Sequence, residues 1–196
     1  MIAYLEGQLV TKEPTHLVVD INGMGYEVKI SLATYSTVKG LDRARIHTHF
    51  HVKEDAQTLF GFAELSEKKR FLDLISINGV GPSTALMILS SLSPEELQSA
   101  ILAENTGMIQ AVKGVGAKTA QRIILELKDK MKKEGLLDKS LEIVPQANNT
   151  LRNEALSALT TLGINKSVAE KTIQSILKEH HDISLEDLIK LALKRA

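Results

Sequence analysis

The sequence predicts a multidomain α+β protein. Three observations carry that reading. Short alternating strands fill residues 1–63, helical periodicity takes over from residue 64, and a nine-residue segment recurs 35 positions downstream within the helical part. The strands come first. Apolar and polar residues alternate through Ile2-Ala3-Tyr4-Leu5 and Leu17-Val18-Val19-Asp20-Ile21, the period-two pattern of a half-buried strand. A turn, Asn22-Gly23-Met24-Gly25, leads into Tyr26-Glu27-Val28-Lys29-Ile30. Further runs cover Arg45 to Val52 and Thr58 to Phe62, separated by the polar tip Lys53-Glu54-Asp55-Ala56. Five short strands in about 60 residues predict a small closed barrel, with the OB-fold as the commonest form.

From residue 64 to 140 the period changes. Phe71, Leu72, Leu74 and Ile75 recur at helical spacing. Ser93-Pro94-Glu95-Glu96 spells a helix start. Ser93 is the N-cap, Pro94 takes the first helical position, and Glu96 stands three residues on to close a capping box. Thr106-Gly107 opens a further helix or turn, and a charged helix runs through Lys133. Residues 141–149, with Pro145, Gln146, Asn148 and Asn149, read as a flexible linker. The last domain, 150–196, shows three helical runs: Leu151 to Leu162, Ser167 to Glu179 and Leu185 to Lys194. Gly163 is placed as a C-cap, and Ser184 with Asp187 as an N-terminal box.

Composition narrows the function classes. Of the 196 residues 43% are apolar, with no Trp, three Tyr and four Phe, so the cores must be aliphatic. No apolar run reaches about 18 residues, so no membrane span is expected. Met1 to Glu6 lacks the features of a secretory signal. The absence of Cys removes thiol chemistry and suits a cytoplasmic protein. Charge balances at 24 basic and 24 acidic residues, unlike a protein that coats DNA. Any grip on nucleic acid must therefore be local. One stretch fits: between Ala111 and Lys139 stand eight basic residues (Lys113, Lys118, Arg122, Lys128, Lys130, Lys132, Lys133, Lys139) against four acidic ones (Glu126, Asp129, Glu134, Asp138). A solvated helix face would carry the same mixture.

The repeat supplies the chemistry. Ile77-Asn78-Gly79-Val80-Gly81-Pro82-Ser83-Thr84-Ala85 aligns with Val112-Lys113-Gly114-Val115-Gly116-Ala117-Lys118-Thr119-Ala120. Each copy places a Gly-Val-Gly turn between an apolar helix and a second helix, the helix-hairpin-helix pattern. Glycine permits backbone angles that other residues resist and leaves no Cβ in front of the peptide N–H groups. Those groups sit where the next helix begins, with its first N–H groups unpaired and its dipole positive. A phosphate oxygen fits such a place. The contact reads backbone rather than bases, so binding should be largely independent of sequence. The valine is expected to point inward and fix the hairpin. Lys118 and Arg122 fall one turn apart on one helix face and could add charged contacts. Two hairpins needing glycine only for a tight turn is the blander account, and the duplication counts against it.

Nucleotide-binding motifs fail on inspection. Gly114-Val115-Gly116-Ala117-Lys118-Thr119 lacks the Gly that a Walker A motif places before Lys. Thr84 and Thr119 break G-x-G-x-x-G in both copies. No cofactor and no catalytic residue are expected.

With these motifs in hand, the chain resembles the RuvA family, the Holliday-junction-binding subunits of the bacterial branch migration complex. The resemblance runs the whole length in order, through Gly25-Tyr26-Glu27-Val28, Thr48-His49-Phe50, Glu54-Asp55-Ala56-Gln57, Gly61-Phe62 and both hairpins. It implies a non-catalytic DNA-binding subunit acting in recombination, repair and the SOS response. The assembly implied is a homotetramer, or two stacked as an octamer, holding a four-way junction open. The implied DNA contacts are Asn78, Gly79, Val80, Gly81, Pro82, Ser83, Gly114, Val115, Gly116, Ala117, Lys118, Thr119 and Arg122. Glu54 and Asp55 match the family's acidic pin at the crossover, where carboxylates would repel phosphates. The last domain, a three-helix UBA-like unit, matches the part that contacts the hexameric ATPase RuvB, with Leu159, Leu162, Ile164 and Leu193 at apolar contact positions. The RuvC resolvase is a further implied partner. Ser83 and Ala117 depart from the family, which often has Lys at both, and the linker is short for it.

Other readings remain open from sequence. A DNA glycosylase would use the same hairpin with a downstream Asp, for which Asp138 stands at a suitable distance. The chain lacks the aromatic residues that favour a flipped-base pocket. His47, His49 and His51 share one strand face and could bind zinc, although a polar strand face explains them as well. A general DNA-binding adaptor would share the hairpins without preferring junctions.

Overall fold

A computed structural model describes residues 1–140, 146–180 and 183–195, with side chains undescribed from 133 to 150. Residues 141–145 of the expected linker and the side chain of Asp138 lie outside the described residues.

The alternating runs form five strands: β1 (Tyr4–Glu13), β2 (His16–Ile21), β3 (Met24–Ile30), β4 (Arg43–Val52) and β5 (Gln57–Phe62). They close a barrel in the order β1-β2-β3-β5-β4, with β1 also pairing β4. All pairs are antiparallel except β3 with β5. A register shift between Leu9 and Thr11 marks a bulge in β1, which bends the strand around the closure. Leu5, Leu9, Leu17, Val19, Val28, Ile30, Ile46 and Leu59 fill the interior. This is the OB-type barrel that the strand pattern predicts.

Reading residues 1–63 as strands alone misses a helix. Between β3 and β4 stands α1 (Leu32–Val38), capped by Ser31, whose Oγ accepts from the Thr34 N–H at 3.0 Å. Seven residues with two Thr and a Val make a poor autonomous helix. Tertiary contacts hold it. The buried carboxylate of Glu67 accepts from the Ser31 hydroxyl and from the Thr34 hydroxyl at 2.7 Å. Burial pushes the Glu67 carboxyl above its ordinary range, against the opposing pull of these two hydrogen bonds.

Glu67 lies on α2 (Leu65–Ile75), the first helix after the barrel. There follow α3 (Pro82–Ser91), α4 (Pro94–Leu102), α5 (Thr106–Gln110) and α6 (Ala117–Ser140). The Ser93–Glu96 capping box forms as the spacing predicts, with both reciprocal bonds present. The helical core does not stop at the barrel. Phe60 and Phe62, on the outer face of β5, belong to one cluster with Phe71, Leu74, Val80, Ile88, Val115 and Ile123. Phe71 packs 4.9 Å from Phe62 and 5.2 Å from Phe60, ring centre to ring centre. Barrel and hairpins therefore fall in one compact unit, residues 1–133. The reason is geometric: both faces of β5 are apolar, so its outer face must be covered too.

The second unit spans residues 134–196. Its helices are α7 (Gln146–Thr161), α8 (Lys166–Glu179) and α9 (Leu185–Arg195). Residues 146–149, expected in the linker, are helical, because α7 begins directly after Pro145. Gly163 ends α7 at φ +93. Its N–H donates to the Thr160 carbonyl at 3.1 Å, and the Ile164 N–H donates to the Leu159 carbonyl at 3.0 Å, the paired bonds of a Schellman cap. Ala155, Leu159, Ala169, Ile173, Ile176, Leu188 and Ala192 form the unit's core. Among the described residues no helix is long and apolar enough to cross a membrane.

Candidate nucleic-acid interface

The repeat in sequence is a repeat in backbone. Gly79 and Gly114 adopt φ of +92 and +85, the left-handed region that costs an L-residue about 1–2 kcal/mol. After each, the valine N–H turns back to a carbonyl three residues earlier: Val80 to Ile77 and Val115 to Val112, both at 3.0 Å. Both valines are only 5% exposed and enter the same core, so the inward orientation expected of them holds. The second glycine of each copy starts the next helix. Ala85 N–H donates to Gly81 C=O at 3.0 Å, and Ala120 N–H to Gly116 C=O at 2.9 Å. No side chain caps Gly81. A Cβ on Gly79, Gly81 or Gly116 would have no neighbour within 4 Å. The turns are thus open to solvent above a buried valine, with the unpaired N–H groups of a helix start beside them.

Charge is distributed less evenly than sequence suggests. Several basic residues of the 111–139 stretch are occupied. Lys128 pairs with Glu104, and Lys130 reaches the buried Asp73, which also binds Arg70 at 3.0 Å. Arg122 Nε lies 3.0 Å from Glu126 Oε1. Its Nη1 donates to the Asn78 carbonyl at 3.1 Å, in the other hairpin. Lys113 and Lys118 are exposed and make no ion pair among the described residues. Beside Ser83 lies a cleft of about 470 Å³, whose lining includes Lys29, His16 and Glu27 from the barrel. His16 and Lys29 are direct cross-strand partners. Their nearness to the first hairpin has no signal in sequence, because 54 residues separate Lys29 from Ser83.

Glu54 and Asp55 sit at the exposed tip between β4 and β5, which the Lys53 N–H closes onto the Ala56 carbonyl at 2.8 Å. His47, His49 and His51 share the outer face of β4, where they pair with Phe62, Phe60 and Thr58. Two of them pack on aromatic rings: His49 lies 5.6 Å from the Phe71 ring centre and His51 6.1 Å from Phe60. Partial burial, with His51 and Lys68 nearby, pulls the His49 imidazole below its ordinary value. Among the described residues no three His, Asp or Glu are grouped to hold a metal ion.

In the second unit the four leucine-type candidates separate. Leu159 is fully buried, and Ile164 packs against the core from the side. Leu162 and Leu193 are 61% and 45% exposed.

Comparison with known proteins matches these parts in order. Residues 1–61 match the RuvA N terminal domain, 71–129 a SAM-like helix-hairpin-helix tandem, and 150–196 the RuvA C-terminal domain. Among curated relatives, the Holliday junction branch migration complex subunit RuvA of Cytophaga hutchinsonii is 56% identical over 99% of each chain. The proteins of that name from Amoebophilus asiaticus and Christiangramia forsetii are 51% and 50% identical. These alignments cover 99% and 100% of this chain and all of each relative. With half its residues shared along essentially its full length, from the barrel through both hairpins to the last helix, this chain belongs to the RuvA family.

Proposed function

We propose that the protein binds four-way DNA junctions through its two hairpins and brings the RuvB motor to them for branch migration, without catalysing a reaction itself. The observation that carries this reading is the pair of open Gly-Val-Gly turns with matching backbone geometry. Each turn offers unpaired N–H groups to a phosphate oxygen: those of Gly79, Gly81 and Ser83 in the first and their counterparts Gly114, Gly116 and Lys118 in the second, since Val80 and Val115 donate to Ile77 and Val112 and Pro82 has no N–H. Lys118 adds a free cation at the second. Two phosphate sites per chain give a set of sites for several arms when four chains assemble. The assembly is a homotetramer, or two facing as an octamer, acting in the cytoplasm.

Glu54 and Asp55 act at the crossover. Exposed carboxylates on a narrow tip repel phosphates and favour separated strands. Leu162 and Leu193, with Ile164 between core and solvent, offer the ATPase an apolar face, and Leu159 supports it from beneath. RuvC joins the assembled junction as the resolvase.

The test is a titration of the full chain against a synthetic four-way junction and a linear duplex of equal length, in about 0.1 M salt. A strong preference for the junction is the expected result. Equal affinity for both would replace this reading with that of a general DNA adaptor. Removal of residues 150–196 should spare junction binding and abolish stimulation of the ATPase.

A further inference from the structure

The peptide unit between Asn78 and Gly79 belongs to two worlds. Its N–H lies in the open turn of the first hairpin. Its carbonyl accepts from Arg122 Nη1 at 3.1 Å. A trans peptide is planar, so its C=O and N–H point in opposite directions. Holding the carbonyl therefore aims the N–H. Arg122 is itself steadied by Glu126, one turn further along α6, at 3.0 Å.

The same relation exists in the other direction. Subtracting the repeat shift of 35 residues from Arg122 gives Met87. The Met87 methyl lies 3.2 Å from where a Cβ on Gly114 would stand, and Gly114 is the counterpart of Gly79. Each hairpin's second helix thus reaches the other hairpin's turn from the same repeat position. One does so with a methyl group, the other with a guanidinium.

We infer that Arg122 is a positioning residue for the first hairpin: it fixes and polarises the Asn78–Gly79 peptide so that the Gly79 N–H is presented to a DNA phosphate. The inference rests on the proposed reading of the turns as phosphate contacts. A cation at the carbonyl end draws electron density along the peptide and strengthens the N–H as a donor. Ser83 supplies no cation to this hairpin, so Arg122 brings positive charge to it through one peptide group. Its pairing with Glu126 leaves little net charge for the DNA directly, and Lys118, one turn earlier on α6, makes no ion pair among the described residues.

Two measurements on the full chain test this. The first uses nitrogen–proton spectra of the isotope-labelled protein without DNA, for the parent, Arg122→Met and Arg122→Lys. In Arg122→Met the Gly79 amide resonance should move while Gly114, the internal reference, stays. Arg122→Lys should restore part of the parent position. The second is junction affinity across a series of salt concentrations. Arg122→Met should bind roughly three- to tenfold more weakly, the scale of one hydrogen bond, with its salt dependence unchanged. The Arg122 side chain is half exposed, so both variants should melt with the parent. An unmoved Gly79 resonance overturns the inference. So does a salt slope reduced by about 0.9, which would make Arg122 a direct phosphate ligand. Failure of the parent to bind junctions would sink the proposed function, while the spectra would still report the brace.

Discussion

The first and second hairpins share a backbone and differ in what decorates it. Glycine, valine and alanine recur where the chain turns left-handed or packs inward: Gly79 and Gly114, Val80 and Val115, Ala85 and Ala120. The exposed positions diverge. The first hairpin has Asn78, Pro82 and Ser83 where the second has Lys113, Ala117 and Lys118. Pro82 has no N–H to offer but fixes the start of α3. Ala117 keeps its N–H, and Lys113 and Lys118, which make no ion pair among the described residues, stand on either side of it in the chain. On the proposed reading, the first hairpin is a preorganised donor with its charge supplied by Arg122 from the other hairpin's helix, and the second carries its own. Duplication preserves what burial and backbone strain demand, and leaves electrostatics free to vary.

Removing the shared part should have the largest effect. Replacing Gly79 and Gly114 together by Ala forces two L-residues into the left-handed region, at about 1–2 kcal/mol each. If the turns relax instead, the N–H groups lose their aim. Junction affinity in a fluorescence titration should fall by at least about tenfold, or ~1.4 kcal/mol. Retained affinity would mean that the turns do not touch DNA.

Next come the valines. Val80→Ala and Val115→Ala should each cost about 2 kcal/mol of stability in urea unfolding. The two values should agree, since both side chains are equally buried in one core. A clear inequality would show that the hairpins are not equivalent even in packing.

A smaller effect tests the divergent part. Lys118→Gln should flatten the dependence of log affinity on log salt by about 0.9, and Ser83→Lys should steepen it by a similar amount. Together they would exchange the hairpins' electrostatic roles. No change in either slope would remove positions 83 and 118 from the interface.

The smallest effect concerns the seam between barrel and helices. His49 holds its proton less readily folded than unfolded, owing first to burial and then to His51 and Lys68. As pH falls through about 6.5, the unfolded chain takes up a proton before the folded one does. Stability should therefore decline, levelling off below the folded value. His49→Gln should lessen that decline in melts between neutral and mildly acidic pH, and an identical profile would clear His49 of the role.

Much of this was legible in the sequence because it is local. Alternation exposes strands, and the capping box at Ser93–Glu96 and the repeated Gly-Val-Gly lie within a few residues. What stayed hidden depends on residues far apart in the chain. Helix α1 is held by Glu67, over 30 positions away. The outer face of β5 carries Phe60 and Phe62 for a helix that has not yet been made. Arg122 reads as a surface cation until its partner 44 residues earlier is seen. Leu159 and Leu162 look alike on a helical pattern, yet Leu159 is buried and Leu162, immediately after the last residue of α7, is exposed.

The phenylalanine seam also bears on how freely these pieces can be exchanged. A barrel cut at residue 63 would carry two bare aromatic rings on its wall, a sticky patch rather than a finished surface. Hairpins severed from it would lose the rings against which Phe71 packs. The first 133 residues should therefore melt in a single step, be inherited together and resist transplantation, although they contain two recognisable folds. The wall to which these rings fasten the helices is a closed barrel with no free strand edge to peel away.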